Sequence, residues 1–486
     1  MSTLLDTARA APPAEAPKPA PAGEASEFIA RYAALATPRY TSYPPATAFH
    51  AGVGEADRRA WIAALPAGSR LSLYVHIPFC ASLCWYCGCH MTVVNRPEPV
   101  ERHLAALMRE IDAIGAVVPE ECAVARVHFG GGTPNSLTPE QFERLIGHLR
   151  ASFDFAPDAE IASELDPRTL TPAHIEALGR AGLTRASLGV QDVSEDVQRL
   201  IQRIQPFEQV EAAASGLRAA GVASVNLDLL YGLPGQTVAH VRRSAEAAIS
   251  VKPDRLAVFG YAHVPWFKKH QRAIDASKLP GGAERLAQAD AAAATLMAAG
   301  YERIGFDHFA LPHDALAEAA RAGALRRNFQ GYTEDDCCAL LGLGASAVTA
   351  TPSGFCQNQP HIGAYEETLM APRMTGADTR EQDAPAGPTV RGLGLTLTDR
   401  LIGAAIERLL CDFTVDLEAV AAAHDFEPAV FDGALERAQA IARDGLVSIE
   451  GRRLSVTARG RPYARVAAAQ LDPDWSPEPT KHSVSV

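Results

Sequence analysis

Leu71-Ser-Leu-Tyr-Val-His-Ile-Pro-Phe-Cys-Ala-Ser-Leu-Cys-Trp-Tyr-Cys-Gly-Cys89 runs from an apolar strand-like segment into a loop carrying four thiols. Cys80, Cys84 and Cys87 follow the spacing C-x3-C-x2-C, and Cys89 comes two residues later. Three thiolates hold three irons of a 4Fe-4S cluster and leave the fourth iron open to an outside ligand. An open position is what separates a catalytic metal centre from a structural one. The same loop also admits a zinc site completed by Cys89 or His90, with its ligands crowded into about one turn of chain. Disulfides fit poorly. The chain lacks an apolar signal segment, and nine cysteines in 486 residues suit a large reduced protein rather than a stapled secreted one.

Outward from this loop the chain repeats a short apolar run, a polar loop and an amphipathic helix. Leu71 to Ile77 is the first strand, and residues Val100 to Val117 have the helical spacing of its partner. Ala125 to Phe129 is the second strand, closed by Gly130-Gly-Gly-Thr-Pro134. Thr138-Pro-Glu-Gln141 then opens a helix, with threonine as N-cap, proline at the first position and glutamine at the third. Glu160 to Leu165, Ala186 to Val190, Ser224 to Leu229 and Arg255 to Phe259 are four more strands, each ending in a polar cluster. Thr171-Pro172 starts the helix after the third. Strands alternating with helices of about ten to fifteen residues predict βαβ units and a parallel sheet. Six in succession predict an α/β fold, a partial (β/α)6 barrel, whose chemistry sits at the carboxyl ends of the strands.

The remaining segments divide as follows. Residues 1–27 read as a disordered Ala/Pro-rich tail, with Asp6, Glu15 and Glu24 arguing against a transit peptide. Residues 28–70 form an N-terminal extension or lid, 71–370 the barrel and its extension, and 371–390 a linker or surface loop. Residues 391–486 form a mostly helical C-terminal domain, in which Val447 to Val456 is a hairpin turning near Gly451, as in a winged helix. Leu340-Leu-Gly-Leu-Gly-Ala-Ser346 is a small-residue run suited to close backbone approach to a ligand. The formal charge of −12 argues against broad nucleic-acid binding, and no apolar run reaches the roughly eighteen residues of a membrane span. A reducing, cytoplasmic location and a monomer are the expectations.

The cysteine loop resembles the signature of radical S-adenosylmethionine enzymes, and the longer string resembles the oxygen-independent coproporphyrinogen III oxidases of haem biosynthesis. Pro38-Arg-Tyr-Thr-Ser-Tyr-Pro44, Gly130-Gly-Gly-Thr-Pro134, Glu164-Leu-Asp-Pro167, Gly189-Val-Gln-Asp192 and Asp228-Leu-Leu-Tyr-Gly-Leu-Pro234 carry the likeness. Tyr261-Ala-His-Val-Pro265, Asp307-His-Phe309 and Asn328-Phe-Gln-Gly-Tyr332 extend it. Together they cover residues 38 to about 360 in order, with a weaker likeness beyond. Asp335-Asp-Cys-Cys-Ala339 departs from the polar stretch of the family pattern, which puts substrate contacts there in doubt.

The resemblance implies a mechanism and a set of roles. Cys80, Cys84 and Cys87 would hold a 4Fe-4S cluster, and S-adenosylmethionine, two molecules of it, would bind at the strand ends. Tyr74, Tyr86, Gly131, Gly132 and Thr133 would lie beside the bound cofactor, Val348 matches a position lining the first molecule, and Glu164 is a strand-end carboxylate able to hold ribose hydroxyls or a methionine amine. Gln191, Arg203, Asp228 and Ala262 match the second. Tyr74 and Cys89 are the candidate catalytic residues. Cys89 matches a non-ligand fourth cysteine, where haem-carrying and haem-opening relatives have an aromatic residue. Arg39 is a candidate anchor for substrate carboxylates or a lid residue; Arg326 and Arg327 could serve similarly, but the surface is the expected place for both. Implied partners are a porphyrinogen substrate and an electron donor such as a flavodoxin or ferredoxin. A haem-binding chaperone-like paralogue and a radical haem-modifying methyltransferase are the competing readings.

Overall fold

The computed structural model describes residues 31–33, 35–371 and 387–476. The Ala/Pro-rich start and most of the expected linker at 371–390 lie outside these residues. Six strands, β1 (Arg70–Ile77), β2 (Ala123–Gly131), β3 (Phe155–Leu165), β4 (Arg185–Gln191), β5 (Ser224–Tyr231) and β6 (Arg255–Gly260), lie side by side in chain order. Every neighbouring pair is parallel. Helices α1 (Pro97–Gly115), α2 (Pro139–Ser152), α3 (Pro172–Arg180), α4 (Phe207–Ala219) and α5 (Val238–Ser250) connect them, and α6 (Gly282–Ala298) follows β6. Thr138 and Thr171 accept from the backbone N–H of Gln141 and His174, so both expected caps form, each followed by proline.

The two faces of the barrel strands divide by period two. Leu71, Leu73, Val75 and Ile77 of β1 join Val127 and Phe129 of β2 in a core with Leu104, Leu107, Ile111 and Ile114 of α1. Those helix positions recur every three or four residues, which gathers them on one stripe. The alternate strand residues face the lumen, and they are polar. Near the amino ends of the strands, Arg185 bridges Glu160 (2.8 Å) and Glu334 (2.9 Å). Arg255 holds Glu334 through two nitrogens (2.9 and 3.1 Å) and Asp314 through a third (2.5 Å). This ion-pair floor closes the barrel below the site.

The sheet is open. Beyond β6 it continues with β7 (Glu302–Ile304) and β8 (His308–Ala310), in the spatial order β6-β8-β7. On the other side β9 (Ala339–Leu343) runs parallel to β1, followed by β10 (Val348–Thr351), β11 (Gly354–Asn358) and β12 (Thr389–Gly394). The small-residue run expected to approach a ligand instead forms β9 and its turn. A Cβ on Gly342 would meet the Val348 carbonyl oxygen at 2.4 Å, and one on Gly344 the His76 carbonyl oxygen at 2.6 Å. The glycines serve strand-to-strand contact. Cys337 and Cys338, both free thiols, precede β9, and the Cys338 N–H bonds the carbonyl of Arg70 (2.9 Å). The departure from the family pattern thus lies at the amino end of β1, opposite the cysteine loop.

Arg58, in the helix Glu55–Ala63, ties these pieces together. It is 0% exposed and bonds Glu110 of α1 (2.8 Å), the Gly342 carbonyl of β9 (2.8 Å) and Asn358 of β11 (3.2 Å). Glu110 also accepts from Gly344 N–H, Asn358 and Tyr365. Arg58→Ala leaves the Glu110 charge buried without a counter-ion, at a cost of about 3–5 kcal/mol. A lowered urea midpoint is the expected result, and an unchanged midpoint would show that the network contributes nothing net.

The C-terminal domain runs α7 (Leu397–Asp412), β13 (Thr414–Asp416), a helix at Leu417–Ala423, α8 (Asp432–Arg443), β14 (Val447–Glu450), β15 (Arg453–Val456) and α9 (Ala464–Ala469). Strands β13, β15 and β14 form a three-stranded sheet, the winged-helix order, and Gly451 turns the hairpin at φ +60°. The N-terminal extension packs on this domain. Tyr32, Tyr40 and Tyr43 enter its core, and the Tyr40 hydroxyl donates to Asp472 (2.9 Å).

Candidate active site

The cysteine loop leaves the carboxyl end of β1 and is held from two sides. Gly132 N–H bonds the Ile77 carbonyl and Thr133 N–H the Phe79 carbonyl, both at 2.8 Å. A Cβ on Gly132 would stand 2.4 Å from the Phe79 oxygen. The triple glycine is therefore needed for contact with the cysteine loop itself, and the N–H groups of Gly132 and Thr133 are spent there. From the far side, the segment after β6 donates to the loop carbonyls: Lys268 Nζ to Cys89 (2.8 Å), His270 Nε2 to Cys87 (2.7 Å) and Gln271 Nε2 to Tyr86 (3.0 Å). Nothing local in the sequence marks those three residues, because they act across a separation of about 180 residues.

One cavity gathers most of the expected residues. Cys80, Cys84, Cys87 and Cys89 line it with Tyr86, and Gly131, Gly132 and Thr133 form its next wall. Glu164, Gln191, Arg203, Asp228 and Ala262 complete it, with Arg39 at its edge. These side chains come from the ends of β1 through β6, as the barrel geometry requires. Two expected residues stand apart. Tyr74 lies one layer deeper, its hydroxyl 3.0 Å from His76 Nδ1 and its ring stacked on His128. Val348 sits on β10, outside the cavity lining.

Two arginines converge on the thiols. Arg168 Nη2 is 3.4 Å and Arg203 Nη1 3.6 Å from Cys84 Sγ, and both guanidinium groups pair with Asp166, at 2.6 and 3.4 Å. Burial pushes the Asp166 carboxyl up, but the hydrogen bond from Arg168 and the charge of Arg203 outweigh it and hold it below the usual range. Asp166 and Arg168 follow Glu164 directly, and only the fold shows that they reach the cysteines. Cys89 opens onto the cavity. Its contact with Cys87 and the surrounding protein raise its pKa well above the ordinary thiol value, while Cys87 is drawn down to about 7 by the same contact.

Asp228 accepts from Ser187 Oγ and Asn226 Nδ2, each at 2.8 Å. Burial nevertheless lifts its pKa to about 6, with the Glu164 charge adding to the shift. Glu164 itself lies 3.1 Å from His128 Nε2. Gln191 adopts φ +68°, a strained value for a side-chain-bearing residue, and its amide and Arg203 occupy the space where a Cβ on Gly189 would go.

The donor set can be tested for fit. Ligands about 2.3 Å from one tetrahedral zinc stand roughly 3.8 Å apart. Among the described residues, no three of Cys80, Cys84, Cys87, Cys89 and His90 bring their ligand atoms within 4.8 Å of one another. Three thiolates at C-x3-C-x2-C spacing are the donor set that holds an iron–sulfur cluster with one iron open.

Residues 74–248 match the Radical SAM superfamily, and residues 395–463 match the HemN C-terminal domain. The barrel and its three-thiol loop define the class, a radical S-adenosylmethionine enzyme. An oxygen-independent coproporphyrinogen III oxidase of Bradyrhizobium diazoefficiens is 43% identical over 461 residues, covering 95% of this chain and 100% of that protein. The same-named protein of Pseudomonas aeruginosa is 37% identical, with 92% and 95% covered. The solved coproporphyrinogen III oxidase (HemN) of Escherichia coli superposes with a TM-score of 0.83 at 37% identity, over 90% of this chain and 98% of that one. The chain belongs to the family of oxygen-independent coproporphyrinogen III oxidases. Its resident cofactors are accordingly a 4Fe-4S cluster and S-adenosylmethionine. No helix among the described residues is long and apolar enough to cross a membrane.

Proposed function

We propose that this chain oxidatively decarboxylates two propionate side chains of coproporphyrinogen III to vinyl groups, giving protoporphyrinogen IX for haem biosynthesis without oxygen. The observation that carries the reading is the likeness to named oxidases across both the barrel and the C-terminal domain, at 43% identity over the whole of one relative. The cofactors supply reductive cleavage to a 5′-deoxyadenosyl radical able to abstract hydrogen. Each propionate gives up one hydrogen atom from its β-carbon, carbon dioxide and one electron, which passes to a one-electron acceptor outside the chain.

The chain's part is to hold, orient and exclude. Cys80, Cys84 and Cys87 would carry the cluster, with Arg168 and Arg203 offsetting thiolate charge at Cys84. Glu164 would bind a polar or cationic group of the first S-adenosylmethionine, beside Tyr86, Gly131, Gly132 and Thr133. Gln191, Arg203, Asp228 and Ala262 would serve a second molecule. Cys89, facing the reacting space, is the proposed catalytic thiol, and Tyr74 supports Glu164 from below through the His128 ring. A flavodoxin or ferredoxin donor, a monomeric state and a cytoplasmic location belong to the same reading.

Anaerobic incubation of the reconstituted protein with coproporphyrinogen III, S-adenosylmethionine and a reductant tests the proposal. Vinyl product and 5′-deoxyadenosine are expected together, and absence of both overturns the reading. Asp228 adds a pH signature. Its carboxyl has a raised pKa of about 6, so it is anionic above that value and protonated below it. Affinity for S-adenosylmethionine should be constant above pH 7 and weaken as pH falls through about 6. Asp228→Asn should bind more weakly and lose the inflection; an inflection that persists in this variant assigns the titration to another group.

A further inference from the structure

A second cavity adjoins the first and shares with it Arg39 and the Phe259–Ala262 segment at the end of β6. Five arginines line it: Arg39 from the N-terminal extension, Arg285 from α6, Arg303 from β7, Arg327 from the short hairpin strand Arg326–Asn328 before β9 and Arg465 from α9 of the C-terminal domain. The acidic residues on its wall are Asp290 and Asp307, and Asp307 is engaged with His308 at 2.7 Å. Among the described residues, no carboxylate lies within ion-pair distance of Arg39, Arg285, Arg303 or Arg327. Buried nitrogens of three of them have no hydrogen-bond partner: Nε of Arg285, Nε of Arg303, and Nε and Nη1 of Arg327. The Arg327 guanidinium packs over the rings of Phe306 (4.8 Å) and Tyr332 (4.7 Å), which restricts its direction. Burial and mutual repulsion lower the pKa of Arg39, and bring that of Arg465 down to about 9.

Buried guanidinium groups without counter-ions are costly, and anionic oxygens in bidentate geometry relieve that cost. A porphyrinogen with four propionates carries such oxygens, and two of its four arms survive the reaction. Guanidinium pairing stabilises a carboxylate more than the departing carbon dioxide, so it would hinder loss of the group it holds. We propose that this arginine basket receives the two propionate carboxylates that the reaction leaves intact, directing the other two arms toward Cys89 and Asp228 in the adjoining cavity. Arg39, Arg285, Arg303 and Arg327 against Asp290 and Asp307 leave a formal charge of +2, enough to neutralise both carboxylates. The inference rests on the coproporphyrinogen reading and adds to it the residues that orient the ring. The three parts of the chain that build the basket meet only when the C-terminal domain closes over the barrel mouth, which assigns that domain a role in substrate positioning.

The product keeps only the unreacted propionates, which makes it the discriminating probe. Arg303→Gln and Arg327→Gln should each raise KM for coproporphyrinogen III about tenfold to hundredfold. The inhibition constant of protoporphyrinogen IX should rise by a similar factor. Saturated kcat and the cluster absorbance should stay near wild type, and Arg303→Lys and Arg327→Lys should recover part of the affinity. Variants with wild-type KM, or variants that have lost the cluster absorbance, overturn the basket while leaving the oxidase intact. A raised KM with unchanged product inhibition shows that the arginines hold the reacting arms and overturns the assignment. Wild-type protein that forms no vinyl product removes the functional reading, and the basket with it.

Discussion

Exchange of Cys84 for alanine is expected to strip the chain of its cluster. Iron and sulfide should fall from about four of each per chain to near zero after anaerobic reconstitution, with turnover lost entirely. The reason is stoichiometric: the cluster has three protein thiolates, one per iron, and two cannot retain it. Cys84 is also the most enclosed of the three, buried and faced by Arg168 and Arg203 at 3.4 and 3.6 Å. Its loss leaves those two charges directed at an empty position. Cys80→Ala and Cys87→Ala should behave alike. The nearby Cys89 is the natural rival ligand, so a Cys84→Ala protein that keeps its iron would show that Cys89 can replace a lost thiolate.

The second large effect concerns Cys89 itself. Cys89→Ala should bind a full complement of iron and keep the visible absorbance of the cluster, yet lose turnover by about 10²–10⁴-fold, the range of a positioned catalytic side chain. The basis is its place at the end of the cysteine loop, two residues beyond Cys87 and outside the C-x3-C-x2-C spacing. Cys89 also lines the cavity into which the reacting arms of the substrate would point. Iron analysis together with the rate of vinyl formation separates the roles. Loss of iron makes Cys89 a ligand, and full turnover makes it a bystander.

Much of the barrel was legible because its signals are local. The caps at Thr138 and Thr171, the prolines after them and the alternation of Leu71, Leu73, Val75 and Ile77 each depend on neighbours within a few residues. The six strands begin and end within a few residues of their expected limits, Phe155–Leu165 being the longest extension. The polar lumen was less legible. Arg126, Glu160, Arg185 and Arg255 alternate with apolar residues as in any half-exposed strand, and only the curvature of the sheet turns them inward, where the arginines pair with Glu160 and Glu334. The glycines at 342 and 344 were misread for a related reason, since a residue that allows close approach does not say what approaches.

The sequence by itself determined the cysteine loop, the order of the βα units and the set of polar residues at their ends, because spacing and periodicity are properties of contiguous chain. The tertiary structure alone decided which distant groups share a space. Lys268, His270 and Gln271 grip the cysteine loop from after β6, Arg168 and Arg203 meet at Cys84, and Arg39, Arg303 and Arg465 converge from three separate parts of the fold. Such convergence depends on packing between elements hundreds of residues apart, and a guanidinium shows no local trace of whether it will end at the surface or in a buried cavity.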